Sequence, residues 1–265
     1  QKIEEMDIPY WVPTNKMPEG FNTEQPKVSH GLTHVHHFYT KRNVWVLSKI
    51  YSLSFGGQAY SNYSYLKDWF QSISTSLVSK LNRFRINKAG SGMLSGTLYV
   101  ASTIAEQNVI KVFTTKLNDI IKSKNKISKT NSITYTQSST FTSVYKESYS
   151  YIFVDPPFGG NIMYSELNFL WEAWLRVFTN NQPEAVINAV QHKGLYEYQA
   201  LMQACFDEFF RVLKPGHWMT VEFHNSQNAV WNAIQEALQR AGFVIADVRI
   251  LDKQQQTFKQ VTTTA

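Results

Sequence analysis

The chain has 265 residues, 43% of them hydrophobic, enough to bury one large α/β core or a core with an appendage. Its single cysteine, Cys205, excludes an internal disulfide framework and fits a reducing compartment, and no run approaches the roughly 20 apolar residues of a membrane span. A formal net charge of +6 favours polyanionic partners without identifying one.

Residues 1–33 are rich in proline, glycine and polar side chains and read as an extended arm. From Thr40, its N-cap, a helix is expected with Val44, Leu47, Ser48 and Tyr51 along one face. A Gly/Tyr/Ser-rich break over 54–64 follows. In the next helix Leu66, Trp69, Phe70, Ile73, Leu77 and Leu81 repeat at helical spacing as far as Arg83. Lys88 to Ser95 is a glycine-punctuated loop, and Thr97 to Val100 is a short strand. A helix from Asn108 to Lys122 turns Val109, Val112, Phe113, Leu117, Ile120 and Ile121 inward. The lysines between 111 and 129 read as its solvated basic surface. Ser132 to Thr136 alternates as a strand does. Tyr151-Ile152-Phe153-Val154 is apolar throughout, which predicts a central parallel strand buried on both faces.

The last hundred residues alternate most clearly. Tyr198, Leu201, Met202, Cys205, Phe206, Phe209 and Leu213 form a long helical stripe that Lys214-Pro215-Gly216 stops. The stripe places the Cys205 thiol inside, as an inert group. His217 to Phe223 is a strand, Asn225 or Ser226 caps a helix through Leu238, Gly242 ends it, and Phe243 to Val248 is a further strand. Such alternation argues for an open, doubly wound α/β sheet. The expected division is an arm (1–33), a helical region (34–96) and an α/β region (97–265).

One stretch carries chemistry. Asp155-Pro156-Pro157-Phe158 closes the central strand, where ligands of open α/β sheets bind. Two consecutive prolines give up two backbone donors and hold the chain extended, which turns the carbonyls of Asp155 and Pro156 away from a sheet neighbour. An acceptor side chain, a free carbonyl and a flat ring together suit a planar group bearing an NH2. Accepting both N–H bonds, by Asp155 and the Pro156 carbonyl, would push such a nitrogen toward tetrahedral geometry and free its lone pair. Positioning and electrostatics do most of that work.

Asp155-Pro156-Pro157-Phe158, with the strand before it and Gly159-Gly160-Asn161 and the helix-like 164–177 after it, resembles the (D/N/S)-P-P-(Y/F/W) motif of the S-adenosylmethionine-dependent amino-methyltransferases. These enzymes methylate adenine N6 or cytosine N4 in DNA. The string Asp155 to Leu175, together with Ile8 to Thr14 and His36 to Asn43, is similar to a subset of bacterial DNA methylases. The resemblance covers most of the chain. It implies a class I, Rossmann-like methyltransferase sheet and transfer of methyl to an exocyclic base amine, adenine N6 favoured. Asp155, Pro156, Pro157 and Phe158 would then form the catalytic motif, with Phe158 stacking on a flipped base. It also implies DNA and a restriction endonuclease or an upstream region of the same protein as partners. No charged-then-apolar leader opens the chain, from which a cytoplasmic location is expected. The same motif serves RNA guanine amines and protein glutamine, and a non-catalytic nucleic-acid-binding remnant is the alternative of a different class.

Two further sets follow. Phe38-Tyr39-Thr40 is similar to the Phe-Tyr-Thr-Pro element that holds the methionine end of the cofactor, with Lys41 in place of the proline. Phe38, Tyr39, Thr40 and Asp155 are thereby the candidate cofactor residues. Lys41 and Arg42 oppose the dipole of the helix they open, which calls for an anion nearby, a carboxylate or a phosphate. Read as phosphate, they are nucleic-acid contacts, as is Lys193 in the 180–194 loop. His34, His36 and His37 lack an accompanying carboxylate or cysteine cluster, so no metal is expected. No Asp/Phe-x-Gly-x-Gly loop follows a strand anywhere in the chain. In the similar methylases that loop lies upstream of the part that aligns, so the chain reads as the catalytic portion of a larger enzyme with an incomplete sheet.

Overall fold

The computed structural model describes residues 5–55, 64–84, 91–124 and 131–250. The chain divides into two compact units that interleave in sequence. The first comprises Gln1–Ile133 and Met163–Thr179, the second Thr134–Ile162 and Asn180–Ala265. No boundary falls at 96/97. The helix after the Asp155 motif returns to the first unit because Leu170, Ala173 and Trp174 are buried in its core.

The first unit contains α1 (Phe21–His30), a 3-10 turn (Val35–Phe38), α2 (Lys41–Phe55), α3 (Ser64–Ile73) and α4 (Val109–Lys124). An antiparallel pair, β1 (Arg83–Phe84) and β2 (Ser91–Gly92), and the returning helix α5 (Tyr164–Leu175) complete it. The arm is therefore not extended throughout. Residues 21–30 are helical, although only Asn22, Thr23 and Pro26 of α1 are buried, so no apolar period marked the helix. Its start is capped from a distance: the Glu166 carboxylate on α5 accepts the Asn22 N–H at 2.8 Å. The core centres on the Trp174 ring, ringed by Trp11, Tyr39, Tyr51 and Phe70 at centroid distances of 5.4 to 6.0 Å.

Helix α2 buries Val44, Leu47, Ser48 and Tyr51, the face expected of it. Helix α3 is shorter than the periodicity implied, and Leu77 and Leu81 lie in turns beyond it. Most of the 54–64 break lies outside the described residues, as do residues 88–90 of the 88–95 loop, whose Ser91 and Gly92 form β2. Thr97 to Val100 forms no strand, because the Gln25 side chain substitutes for one. Its amide accepts the Val100 N–H and donates to the Val100 carbonyl, both at 3.0 Å. In α4, Val109, Val112 and Phe113 are buried, whereas Leu117 and Ile121 are exposed.

The second unit is built on a β-α-β element. Strand β3 (Tyr149–Val154) is joined through α6 (Leu195–Val212) to β4 (Leu213–Val221), which leads into α7 (Asn228–Arg240). The strands pair in parallel, Tyr151 opposite Trp218 and Val154 opposite Val221. Gly216, with φ 72°, lies where the register slips between Tyr149 and Tyr151. Tyr198, Met202 and Phe206 of α6 and Val230, Ile234 and Ala237 of α7 form the core, and Met219 and Val221 of β4 pack on it.

The other sheet face is open. Tyr151, Phe153 and Trp218 are 55%, 58% and 66% exposed. The central strand is thus parallel, as expected, but it is not buried on both faces. Residues 132–136 and 243–248 carry the right alternation yet form no strand. The fold is mixed α/β, with one parallel pair covered by helices on one side among the described residues. No helix among them is long and apolar enough to cross a membrane.

Candidate functional site

The Asp155 motif leaves β3 at its carboxyl end, beside the end of β4. The ladder closes with the Glu222 N–H donating to the Val154 carbonyl at 2.9 Å. Beyond it the chain is fixed carbonyl by carbonyl. The Pro157 oxygen accepts the Tyr198 hydroxyl at 2.6 Å and the Gly159 N–H at 3.1 Å. The Phe158 oxygen accepts Asn225 Nδ2 at 3.0 Å, and the Gly159 oxygen accepts the Ile187 N–H at 3.2 Å. Gly159 is left-handed, with φ 66°, and a Cβ there would lie 3.3 Å from Asn225 Nδ2, Ile187 Cδ1 and Val230 Cγ1.

Three groups are left out of this arrangement. Neither the Asp155 side chain nor the Asp155 and Pro156 carbonyls have a hydrogen bond or ion pair among the described residues. Asp155 is exposed, and Pro156 is buried. A backbone acceptor of a buried residue without a donor is the exception in folded proteins and is what an incoming N–H would satisfy. Phe158, half-buried, meets the Phe223 ring edge-to-face at 5.3 Å, and Phe223 meets Trp231 likewise at 5.0 Å. The motif thus offers a carboxylate, a carbonyl and a ring whose plane is set from behind.

The Phe38–Arg42 stretch lies in the other unit and is engaged internally. Phe38 is fully buried in the core. Tyr39 is 3% exposed, its hydroxyl accepts Trp174 Nε1 at 3.0 Å, and burial pushes its pKa up to about 12. Thr40 caps α2 through the Asn43 N–H at 3.3 Å, and its hydroxyl donates to Glu106 at 2.6 Å. The other Glu106 oxygen takes the Arg42 guanidinium at 2.8 Å. The anion that Lys41 and Arg42 called for is therefore a carboxylate, Glu106, rather than a phosphate. Lys41 opens α2 alongside. The rings and hydroxyls of Phe38, Tyr39 and Thr40 do not fit a cofactor, since two are enclosed and the third is already bonded. Among the residues assigned to S-adenosylmethionine, only Asp155 keeps its polar atoms available.

Lys193 differs from its expected role as well. It is buried, and its ammonium donates to the Asn181 and Glu184 carbonyls at 2.7 Å each and to Gln191 at 2.9 Å. All three donors of the ammonium group are taken, so it ties the 181–193 loop instead of facing a polyanion. The Cys205 thiol is held inert, burial pushing its pKa up to about 11. His34, His36 and His37 cluster with ring centroids 4.4 to 5.7 Å apart. No group of three or more His, Cys, Asp or Glu among the described residues is arranged to hold a metal ion.

Tyr198, Phe223 and Asn225 stand against the motif, and Trp231 against Phe223 and Asn225, without any sequence signal naming them as site residues. Tyr198 read as one member of an apolar stripe and Asn225 as a helix cap. Asn225 does lie beside a helix start, its Oδ1 accepting the Gln227 N–H at 2.7 Å, but its amide nitrogen reaches across to Phe158. Comparison with known protein families, curated proteins and solved structures finds no match.

Proposed function

We propose that Asp155 and the Pro156 carbonyl grip the exocyclic amine of a nucleobase, and that the protein serves S-adenosylmethionine-dependent methylation of that amine in DNA, adenine N6 favoured. One observation carries the reading. At the carboxyl end of a parallel strand the Val154, Pro157, Phe158 and Gly159 carbonyls each have an internal donor, while the exposed Asp155 carboxylate and the adjoining Asp155 and Pro156 carbonyls have none among the described residues. An amine offers two N–H donors to two acceptors. Their withdrawal from the ring plane raises the nitrogen toward tetrahedral geometry and turns its lone pair outward. Phe158 would lie against the base, which must leave its stack to reach the strand end. The methyl donor, the class I Rossmann-like sheet and the link to restriction enter from the motif's resemblance to the amino-methyltransferases.

The test is label transfer from S-adenosylmethionine to DNA by the full-length protein, with RNA and protein acceptors in parallel. Label in DNA that is lost in Asp155→Ala supports the reading. Label in RNA or glutamine alone moves the substrate, and none in any acceptor refutes it. The enclosure of Phe38 and Tyr39 favours a second reading, a nucleic-acid-binding unit without catalysis. Calorimetric titration of the full-length protein with S-adenosylhomocysteine separates the two, because only an enzyme needs to bind it.

A further inference from the structure

Outside the motif itself, the strand end carries a second layer of residues with hydrogen bonds spent on it. Tyr198, on α6, is fully buried, and its hydroxyl ends on the Pro157 carbonyl. Asn225, just past β4, is itself locked. Its Oδ1 accepts the Gln227 N–H, and its carbonyl accepts Trp231 Nε1, both at 2.7 Å. With that oxygen committed, the amide can present only its nitrogen to the Phe158 carbonyl. Trp231 is anchored by the same contact, and through Phe223 it sets the edge against which Phe158 stands.

The pattern has a chemical consequence. A loop of two prolines followed by Phe-Gly-Gly has few donors of its own and several carbonyls that could turn toward an incoming amine. Were the Pro157 or Phe158 oxygen free, the amine would find competing acceptors displaced from the Asp155 carboxylate. Tyr198, alongside the Gly159 N–H, occupies the first competitor, and Asn225 occupies the second. They leave the Asp155 carboxylate with the carbonyls of Asp155 and Pro156, which have no donor among the described residues.

Building on the proposed acceptor chemistry, we infer that Tyr198 and Asn225 are positioning residues, which act on the target amine by withholding the Pro157 and Phe158 carbonyls from it. Neither touches the substrate. Their contribution runs through the Asp155–Pro156 pair, so it disappears when that pair is disabled.

The experiment compares Tyr198→Phe, Asn225→Ala and Asp155→Asn, singly and combined, in the full-length protein. The readout is labelled methyl transfer to DNA, expressed as kcat per folded molecule and KM for DNA, with the folded fraction taken from circular dichroism at the assay temperature. Tyr198→Phe and Asn225→Ala should each lower kcat by about 10- to 100-fold with KM for DNA within about twofold, as expected for misplaced reacting groups. In the Asp155→Asn background each should add less than about threefold, because residues acting as one unit are not additive. A purely structural role predicts full additivity and a normal kcat per folded molecule, and either result overturns the inference while leaving the acceptor reading intact. Absence of transfer by the wild-type protein to any acceptor overturns both.

Discussion

Arg211 meets Glu208 one turn earlier on α6 with two nitrogens, each 2.7 Å from a carboxylate oxygen. The carboxylate is 6% exposed and also accepts the Thr142 N–H at 2.8 Å and its hydroxyl at 2.6 Å. The same guanidinium donates to the Val144 carbonyl at 2.8 Å. One charged pair on a helix thus holds the otherwise irregular stretch before β3.

These donors, the Arg211 guanidinium foremost, hold the Glu208 carboxyl down to about 2, well below its ordinary range. A depressed acid stabilises the fold above its unfolded pKa, and that contribution is lost as pH falls from about 4 through 2. Glu208→Gln should lower stability by about 1–3 kcal/mol at pH 7, the scale of hydrogen bonds to a charged group. Urea unfolding at pH 7, 4 and 2.5 checks it: the gap between wild type and variant must narrow as the pH drops. A constant gap would mean that the charge contributes nothing.

Glu166 caps α1 through both the backbone N–H and the side-chain amide of Asn22, at 2.8 and 3.1 Å. The carboxylate sits where a Cβ on Gly20 would be, so a methyl group there overlaps it. Gly20→Ala should destabilise the first unit by about 1–3 kcal/mol through overpacking. Glu166→Ala should cost about 1 kcal/mol as a lost cap. In the double variant the clash is gone, so the two costs must sum to less than the singles predict. Thermal melts of the four proteins decide it, and simple additivity would contradict the geometry.

The Gly20–Glu166 pair also explains what could be read from the sequence. Helices with a continuous apolar stripe, α2 and α6, announced themselves through Val44, Leu47 and Tyr51 or Tyr198, Met202 and Phe206. Helix α1 did not, because its support is a cap supplied from 144 residues away. The parallel pairing of β3 was legible in its unbroken apolar run. Its exposed face was not, since Tyr151 and Phe153 are equally compatible with a covered or an open sheet. At the site, the Asp155 motif was visible as a local string. The roles of Tyr198 and Asn225 depend on pairings with Pro157 and Phe158 over 41 and 67 residues, which no local pattern encodes. Phe38 to Arg42 looked like a ligand element because the partner that occupies it, Glu106, lies 66 residues downstream of Thr40.

His36 and His37 give a second pH dependence, in a different window. Burial, then the neighbouring His37 and His34, push the His36 pKa below its ordinary value, and burial, His34 and Lys80 do the same to His37. A histidine with a lowered folded pKa is neutral in the native state. Its stabilising effect is complete above about 6.5 and is lost as pH falls through the folded value. The melting temperature should therefore decline between pH 7 and 5, a range in which Glu208 is silent. His36→Gln should flatten that decline, and an unchanged slope in the variant would assign it elsewhere.

Asp155 is expected to behave in the opposite way to Glu208. Both are acids in the second unit, but Glu208 is enclosed by four donors, whereas Asp155 is exposed and has no partner among the described residues. Removing a carboxylate that makes no internal contact costs the fold nothing, and surface changes of this kind fall within about 0.5 kcal/mol. Asp155→Ala should consequently leave the urea midpoint of the protein where it was, or raise it slightly, while abolishing whatever the strand end does to an amine. A carboxylate that the fold does not use is free to serve a ligand. A loss of more than about 1 kcal/mol in Asp155→Ala would instead place the carboxylate among the supports of the β3 end, with Glu208.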